Sequence, residues 1–410
     1  MPDINASPLW MDLARSAGLV GPDGTVGETV FGQMTQLAAA SSAVNLGQGA
    51  PGTNPPEFLL EAAALASRAG ANQYPPGQGQ PALLEAVSAQ RARDFGLAVD
   101  PAQVLVTLGV TEAITATVLA LVPRGGTVVT FEPFYDSYAA ATELAGATLR
   151  TVPIRFAGES GFAPDWDAFA EATAAGVDAV IVNSPHNPTG FVFSPEDLLR
   201  IHAAAQAHDF WVITDEVYEH LAFAPNRHVP LAALVPDSQR IISTSSAGKT
   251  FNITGWKIGW VVAPGPVRLA IQTVKQFLTF TANPAYQLAV AQALVDDRGF
   301  IAENHDSLLE RAHRLATALR AVPGLRVSTP QGGYFIIADF SGLTDDDAFT
   351  INERLSREFG FTGIPVAGLC RAGSPAATEF RSAIRYSYCK SPADVALAVE
   401  RIGELAAHGF

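Results

Sequence analysis

Two cysteines in 410 residues, Cys370 and Cys389, sit in no metal-like spacing and cannot build a disulfide framework, so the chain is expected to fold by its core alone. Basic residues are also scarce. The 26 Lys and Arg face 40 Asp and Glu, a formal charge of -14, which leaves no basic face to replace counterions on a nucleic acid or an anionic membrane. No apolar run approaches the roughly 20 residues of a membrane span, and Met1 to Gly18 has neither a basic n-region nor an apolar h-region. There is no internal repeat, low-complexity tract or obvious linker. These absences leave a cytoplasmic protein with small-molecule partners, no nucleic acid, no membrane and no metal.

What the chain does have is turn residues: 35 Gly and 28 Pro within a composition that is 48% hydrophobic and 16% charged, as suits a compact protein with many strand-to-helix turns. Its length exceeds one typical core, so a large domain plus a smaller one is expected, with a cleft between them. From Val104 onward, short apolar runs alternate with amphipathic stretches: Val104–Thr107, Thr127–Phe131, Thr148–Ile154, Ala179–Asn183, Trp211–Thr214, Arg240–Thr244 and Trp260–Ala263. That alternation predicts an α/β domain built on a mostly parallel seven-stranded sheet. Helices are predicted over Thr111–Leu121 and over Pro195–His208. The second has Ser194 as N-cap, Pro195 at its first position and Glu196 in its first turn. Later come a long helix Phe300–Ala321, a strand group near Tyr334–Ala338 and a closing helix Pro392–Ala407, assigned to a smaller α+β domain. The predicted division is 1–48, packing with the small domain, then 49–290 and 291–410.

The unusual polar residues fall just past the ends of the predicted strands, where sheets of this kind bind ligands. Ala179–Asn183 runs into Ser184-Pro185-His186-Asn187-Pro188-Thr189-Gly190, Trp211–Thr214 into Asp215-Glu216-Val217-Tyr218, and Arg240–Thr244 into Ser245-Ser246-Ala247-Gly248-Lys249. A Lys on a short Gly turn at the mouth of a sheet, with an Asp and an Asn at neighbouring strand ends, suits Schiff-base chemistry with an aromatic cofactor.

Together with Asn45-Leu46-Gly47-Gln48-Gly49, Asn72-Gln73-Tyr74-Pro75, Gly109-Val110-Thr111-Glu112-Ala113, Glu132-Pro133-Phe134-Tyr135-Asp136, Ser246 through Trp260 and Ile384-Arg385-Tyr386, these segments carry a resemblance over nearly the whole chain. The sequence resembles the class I/II aminotransferases of the aspartate aminotransferase superfamily, dependent on pyridoxal 5′-phosphate (PLP). Within it the likeness is to the group of kynurenine, glutamine, methionine and N-succinyldiaminopimelate aminotransferases. The resemblance implies the PLP-transferase fold type I, with amino acids and 2-oxo acids as substrates.

It also implies roles. Lys249 would hold the cofactor as a Schiff base and move the substrate proton. Asp215 would pair with the pyridine nitrogen, Asn187 and Tyr218 would hydrogen-bond the phenolate oxygen, and Tyr135 would lie on the ring. Gly109, Val110, Thr111, Ser246 and Lys257 would hold the phosphate, with Tyr74 crossing from a partner subunit in a homodimer. Arg385 would grip the substrate carboxylate, helped by Gly49 and Asn187. The side-chain pocket would be lined by Phe31, Tyr74, Tyr135, Phe280 and Thr281. Arg371 and Arg381 are the cations expected near the entrance, and His186 is read as structural. The motif forms look most like the N-succinyldiaminopimelate enzymes of lysine biosynthesis, using glutamate and 2-oxoglutarate. Glutamine, methionine or kynurenine transamination, a cysteine-conjugate β-lyase and an oxygen-consuming PLP oxidase are the alternatives. A transcriptional regulator on the same fold is the least expected, because such proteins carry a DNA-binding domain ahead of it.

Overall fold

The computed structural model describes residues 8–21, 24–156 and 161–410, so residues 1–7 of the predicted N-terminal segment lie outside the described residues. The strands, in chain order, are β1 (Val44–Asn45), β2 (Val104–Leu108), β3 (Thr127–Glu132), β4 (Thr148–Phe156), β5 (Phe162–Pro164), β6 (Ala179–Asn183), β7 (Trp211–Asp215), β8 (Ile241–Ser246), β9 (Ile258–Val262), β10 (Arg326–Val327), β11 (Phe335–Asp339), β12 (Phe361–Thr362), β13 (Ile364–Pro365) and β14 (Ala383–Ser387).

The main sheet runs β2-β9-β8-β7-β6-β3-β4-β5. Its centre is parallel, β8 through β4, while β9 is antiparallel to both of its neighbours. All seven predicted strands are in it, and the expected count of seven is corrected to eight. The addition, β5, pairs antiparallel with the edge of β4. Three residues are too few to show an alternation of their own. Strands β3, β6 and β8 are buried along their whole length because helices cover both faces; β6 reads as an apolar run up to Asn183, while β3 carries Thr and Glu132 and β8 ends in Ser243-Thr244-Ser245-Ser246. One of those helices is Pro195–His208, with the predicted Ser194 cap accepting from the N–H of Asp197.

Register decides where function can lie. Asn183 of β6 stands beside Asp215 of β7, and Asp215 beside Thr244 of β8. The residues after these three strands therefore leave the sheet side by side, at one end.

A second, antiparallel sheet of order β10-β11-β14-β13 carries Arg385 in its β14 strand, paired with Ile337 and Ile364. Near the N-terminus, β1 pairs with β12, and the Ser387 N–H donates to the Leu46 carbonyl at 2.7 Å. That pairing delivers Gly47 to Gly49 to the same place as Arg385. Tyr218, Leu221 and Phe223, from the segment that follows β7, pack among Tyr334, Phe335 and Ile336 in the core of the second sheet. Each such side chain contributes roughly 1.5–3 kcal/mol by its burial. No helix among the described residues is long and apolar enough to cross a membrane.

Candidate active site

The strand ends open into a cavity of about 430 Å³. Phe31, Gly49, Gly109, Val110, Thr111, Tyr135, Asn187, Asp215, Tyr218, Ser246, Lys249, Lys257 and Arg385 all line it. These are the predicted site residues apart from Tyr74, Phe280 and Thr281, drawn from segments up to 354 positions apart by their numbers, 31 and 385.

Lys249 stands on the short helix Ala247–Thr250 that follows β8. Its Nζ donates to the Gly49 carbonyl at 2.7 Å and lies 5.8 Å and 5.3 Å from the ring centres of Tyr218 and Tyr334. Burial, with smaller effects from Arg385 and Lys257, pulls its ammonium down to about 8. An amine in that range keeps a usable neutral fraction near neutrality, as a proton acceptor or a nucleophile must.

Asp215 is buried, and that burial pushes its carboxyl up to about 6 against the hydrogen bonds that favour its charge. Those bonds come from the Tyr138 hydroxyl at 2.6 Å and the Val217 N–H at 3.3 Å. A buried carboxylate so raised is one that a cationic partner would stabilise. Burial likewise holds the Tyr218 phenol well above its ordinary range, so Tyr218 acts as a hydrogen-bond donor.

At the far end the helix Gly109–Leu121 points its N-terminus at the cavity. Gly109 has φ +71°, and a Cβ there would stand 3.2 Å from Lys257 Nζ. The missing side chain is what lets the ammonium approach the helix start. Free N–H groups, a helix dipole, the Ser246 hydroxyl and one Lys make a cradle for a dianion.

Arg385 is fully enclosed, and among the described residues it forms no ion pair. Its Nη1 donates to Asn187 Oδ1 at 2.8 Å and its Nη2 to the Gly47 carbonyl, while Nε has no partner. Phe335 lies 4.0 Å from the guanidinium and Phe31 5.3 Å from it. Burial pulls its basicity down to about 10, still leaving it cationic at neutral pH. Burying a charge without a counter-charge is costly, so this arrangement fits an anionic ligand group that brings the missing charge.

Several residues with geometry of their own were not singled out from the sequence. Tyr138 holds Asp215, and Phe335 covers Arg385. Asn183 bridges two strand ends, its Nδ2 donating to the Asp215 carbonyl at 2.9 Å and its Oδ1 accepting from the Asn187 N–H at 2.6 Å. Only Asn183 had a signal, a polar residue closing an apolar strand. His186 is buried and neutral, drawn down to about 3 by desolvation, with Nδ1 2.8 Å from the Thr189 hydroxyl.

Other expectations are corrected. Phe280 and Thr281 do not line the cavity of their own chain: Phe280 packs edge-on against Tyr74, 5.5 Å between centres, and Tyr74 is 84% exposed. Arg371 and Arg381 lie elsewhere, Arg371 donating to the Leu149 carbonyl and Arg381 to that of Asp345. Lys249, Lys257 and Arg385 are the cations lining the cavity among the described residues.

Residues 41–402 match the family model described as aminotransferase class I and II. Over 92% of this chain and 96% of the relative, the sequence is 42% identical to the probable N-succinyldiaminopimelate aminotransferase of Mycobacterium tuberculosis. It is 35% identical to the methionine aminotransferase of Escherichia coli, over 93% and 96% of the two chains. The solved structure of N-succinyldiaminopimelate aminotransferase from Mycobacterium tuberculosis superposes with a TM-score of 0.87 at 43% identity, covering 92% of this chain and 97% of that one.

Proposed function

The chain belongs to the class I and II aminotransferases, and from that premise we propose that its cavity holds pyridoxal 5′-phosphate on Lys249 while it passes the amino group of an L-amino acid to a 2-oxo acid. The observation that carries this reading is the conjunction at the strand ends of a neutralisable Lys249, an Asp215 whose carboxyl burial has raised, and the Gly109–Lys257 cradle. Bound there, the cofactor would supply an electron sink for the negative charge left at the substrate Cα.

The protein's own groups do the rest. Gly109, Val110, Thr111, Ser246 and Lys257 would hold the phosphate, Asp215 would keep the ring nitrogen protonated, and Tyr218 and the Nδ2 of Asn187 would donate to the phenolate oxygen, with Tyr135 on the ring. Arg385 fixes the substrate carboxylate and Lys249 Nζ takes the proton from Cα. Arg385→Lys is expected to raise KM for both the amino acid and the oxo acid by about 10- to 100-fold, because a point charge cannot reproduce the guanidinium fork. Unchanged KM for both would assign the carboxylate to another group.

The working unit is read as a cytoplasmic homodimer. Tyr74, Phe277 and Leu278, 84%, 85% and 47% exposed, lie on or beside the loop 276–283 that carries Phe280, an apolar surface suited to a second copy. Tyr74 of each subunit would then reach the other's phosphate. The same reading divides the chain into 1–48, 49–290 and 291–410.

For substrate, the 42% identity supports N-succinyl-L,L-diaminopimelate with 2-oxoglutarate, a lysine-biosynthetic reaction. The lining itself favours a second reading. Phe31, Tyr135 and Phe335, with no lining cation among the described residues beyond Lys249, Lys257 and Arg385, would accept an apolar donor such as methionine, or glutamine or kynurenine. Competition at equal concentration, with glutamate regenerating the aminated enzyme, separates them. The first reading expects the succinylated diamino acid to have the highest kcat/KM, and a tenfold preference for methionine, glutamine or kynurenine would replace it with the second.

A further inference from the structure

Behind the cavity, the last turns of the helix Pro81–Phe95 press buried polar side chains against the segment that follows β7. Arg91 is fully enclosed, with Nη1 2.8 Å from Glu216 Oε2 and 2.9 Å from Glu219 Oε2. The other Glu216 oxygen accepts from the Thr214 hydroxyl at 2.7 Å, and the Glu216 N–H donates to the Thr244 carbonyl at 2.8 Å. One turn on, Asp94 Oδ2 lies 3.2 Å from Nε2 of His220, whose Nδ1 is 3.2 Å from the hydroxyl of Thr250, the neighbour of Lys249. Phe95 packs on His220 and His228 at 6.1 Å and 5.5 Å between centres, under the Arg91 guanidinium.

Residues 216–220 are thus held from behind by one helix; of the cavity residues with polar side chains, Tyr218 sits between the anchors Glu216 and Glu219, and Asp215 immediately precedes the first of them. Glu216, Glu219 and His228 also have the grouping of a metal site. The cation there is already supplied, because Arg91 touches both carboxylates. A buried ion pair contributes little stability compared with a well-packed apolar substitute; its best-attested use is to impose one arrangement.

We propose that Arg91 is a positioning residue: joined to Glu216 and Glu219 on either side of Tyr218, it sets where Asp215 and Tyr218 stand in the cavity and so tunes their hold on the cofactor. This rests on the cofactor reading above. Groups that orient the residues in direct contact with a ligand are typically worth about 10- to 100-fold in its binding.

The test is fluorescence titration of the cofactor-free protein with pyridoxal phosphate, together with the pH midpoint of the bound cofactor's absorbance change. Wild type, Arg91→Lys, Tyr218→Phe and the double variant are compared. A charge-neutral Arg91→Met/Glu216→Gln/Glu219→Gln variant stands in if Arg91→Lys fails to fold. Arg91→Lys is expected to weaken uptake about tenfold and to move the midpoint, and the midpoint is expected to move no further when Tyr218→Phe is already present. Wild-type uptake and midpoint in a folded Arg91→Lys or charge-neutral variant would overturn the proposal, as would a midpoint shift that persists in full without the Tyr218 hydroxyl. A wild-type protein that takes up no pyridoxal phosphate would instead contradict the cofactor reading itself.

Discussion

Lys249→Ala is expected to lower the transamination rate by about 10⁴-fold, the upper end of what a positioned general base contributes. No other amine is placed to substitute. Lys257 also lines the cavity, but it lies against Gly109 at the helix start, and Arg385 is tied to Asn187 and Gly47. The loss should be chemical rather than structural. Lys249 Nζ makes one hydrogen bond, to the Gly49 carbonyl, and its removal leaves the backbone bond from the Tyr334 hydroxyl to the Lys249 carbonyl in place. The check is single-turnover kinetics beside a melting curve. Partial recovery with an added small amine would show that the missing function is the amine itself. A residual rate within tenfold of wild type would move the proton transfer to another residue.

Asp215→Ala is expected to cost more than tenfold in the half-reaction, at least about 1.4 kcal/mol. The carboxylate faces the cavity from the end of β7, held by Tyr138 and by the Val217 N–H. Without it nothing favours a proton on the ring nitrogen, and the charge developing at the substrate Cα is stabilised less. Asp215→Asn keeps the shape and the Tyr138 contact while removing the charge. It should lose nearly as much. Near-normal turnover in both variants at normal cofactor content would contradict the role.

These two residues were legible in the sequence for a physical reason. In an open parallel sheet ligands bind at the carboxyl ends of the strands, so unusual polar residues at or just past several neighbouring strand ends mark the ligand-binding edge. Lys249, Asp215 and Asn187 all carry that mark. Two-residue strands such as β1 and β12 carry none, because period and length vanish together, yet their pairing brings Gly47 and Gly49 to Arg385. Arg91 was illegible for a different reason. Its partner Glu216 is 125 positions away, and an Arg within a charged helix ordinarily reads as solvated. Tyr138 and Phe335 were hidden in the same way, their contacts being made only by the closed fold. Phe280 and Arg371 show the converse, since position along a motif says nothing about which way a loop carries the side chain.

Every role assigned to the cavity depends on Lys249 carrying the cofactor. The most direct measurement is to reconstitute the protein with pyridoxal phosphate, reduce it with borohydride, digest it and map the phosphopyridoxyl group by mass spectrometry. A yellow protein whose modified peptide contains Lys249 alone is the expected result. A stoichiometric adduct on Lys257, Lys275 or Lys390, with Lys249 unmodified, would contradict it.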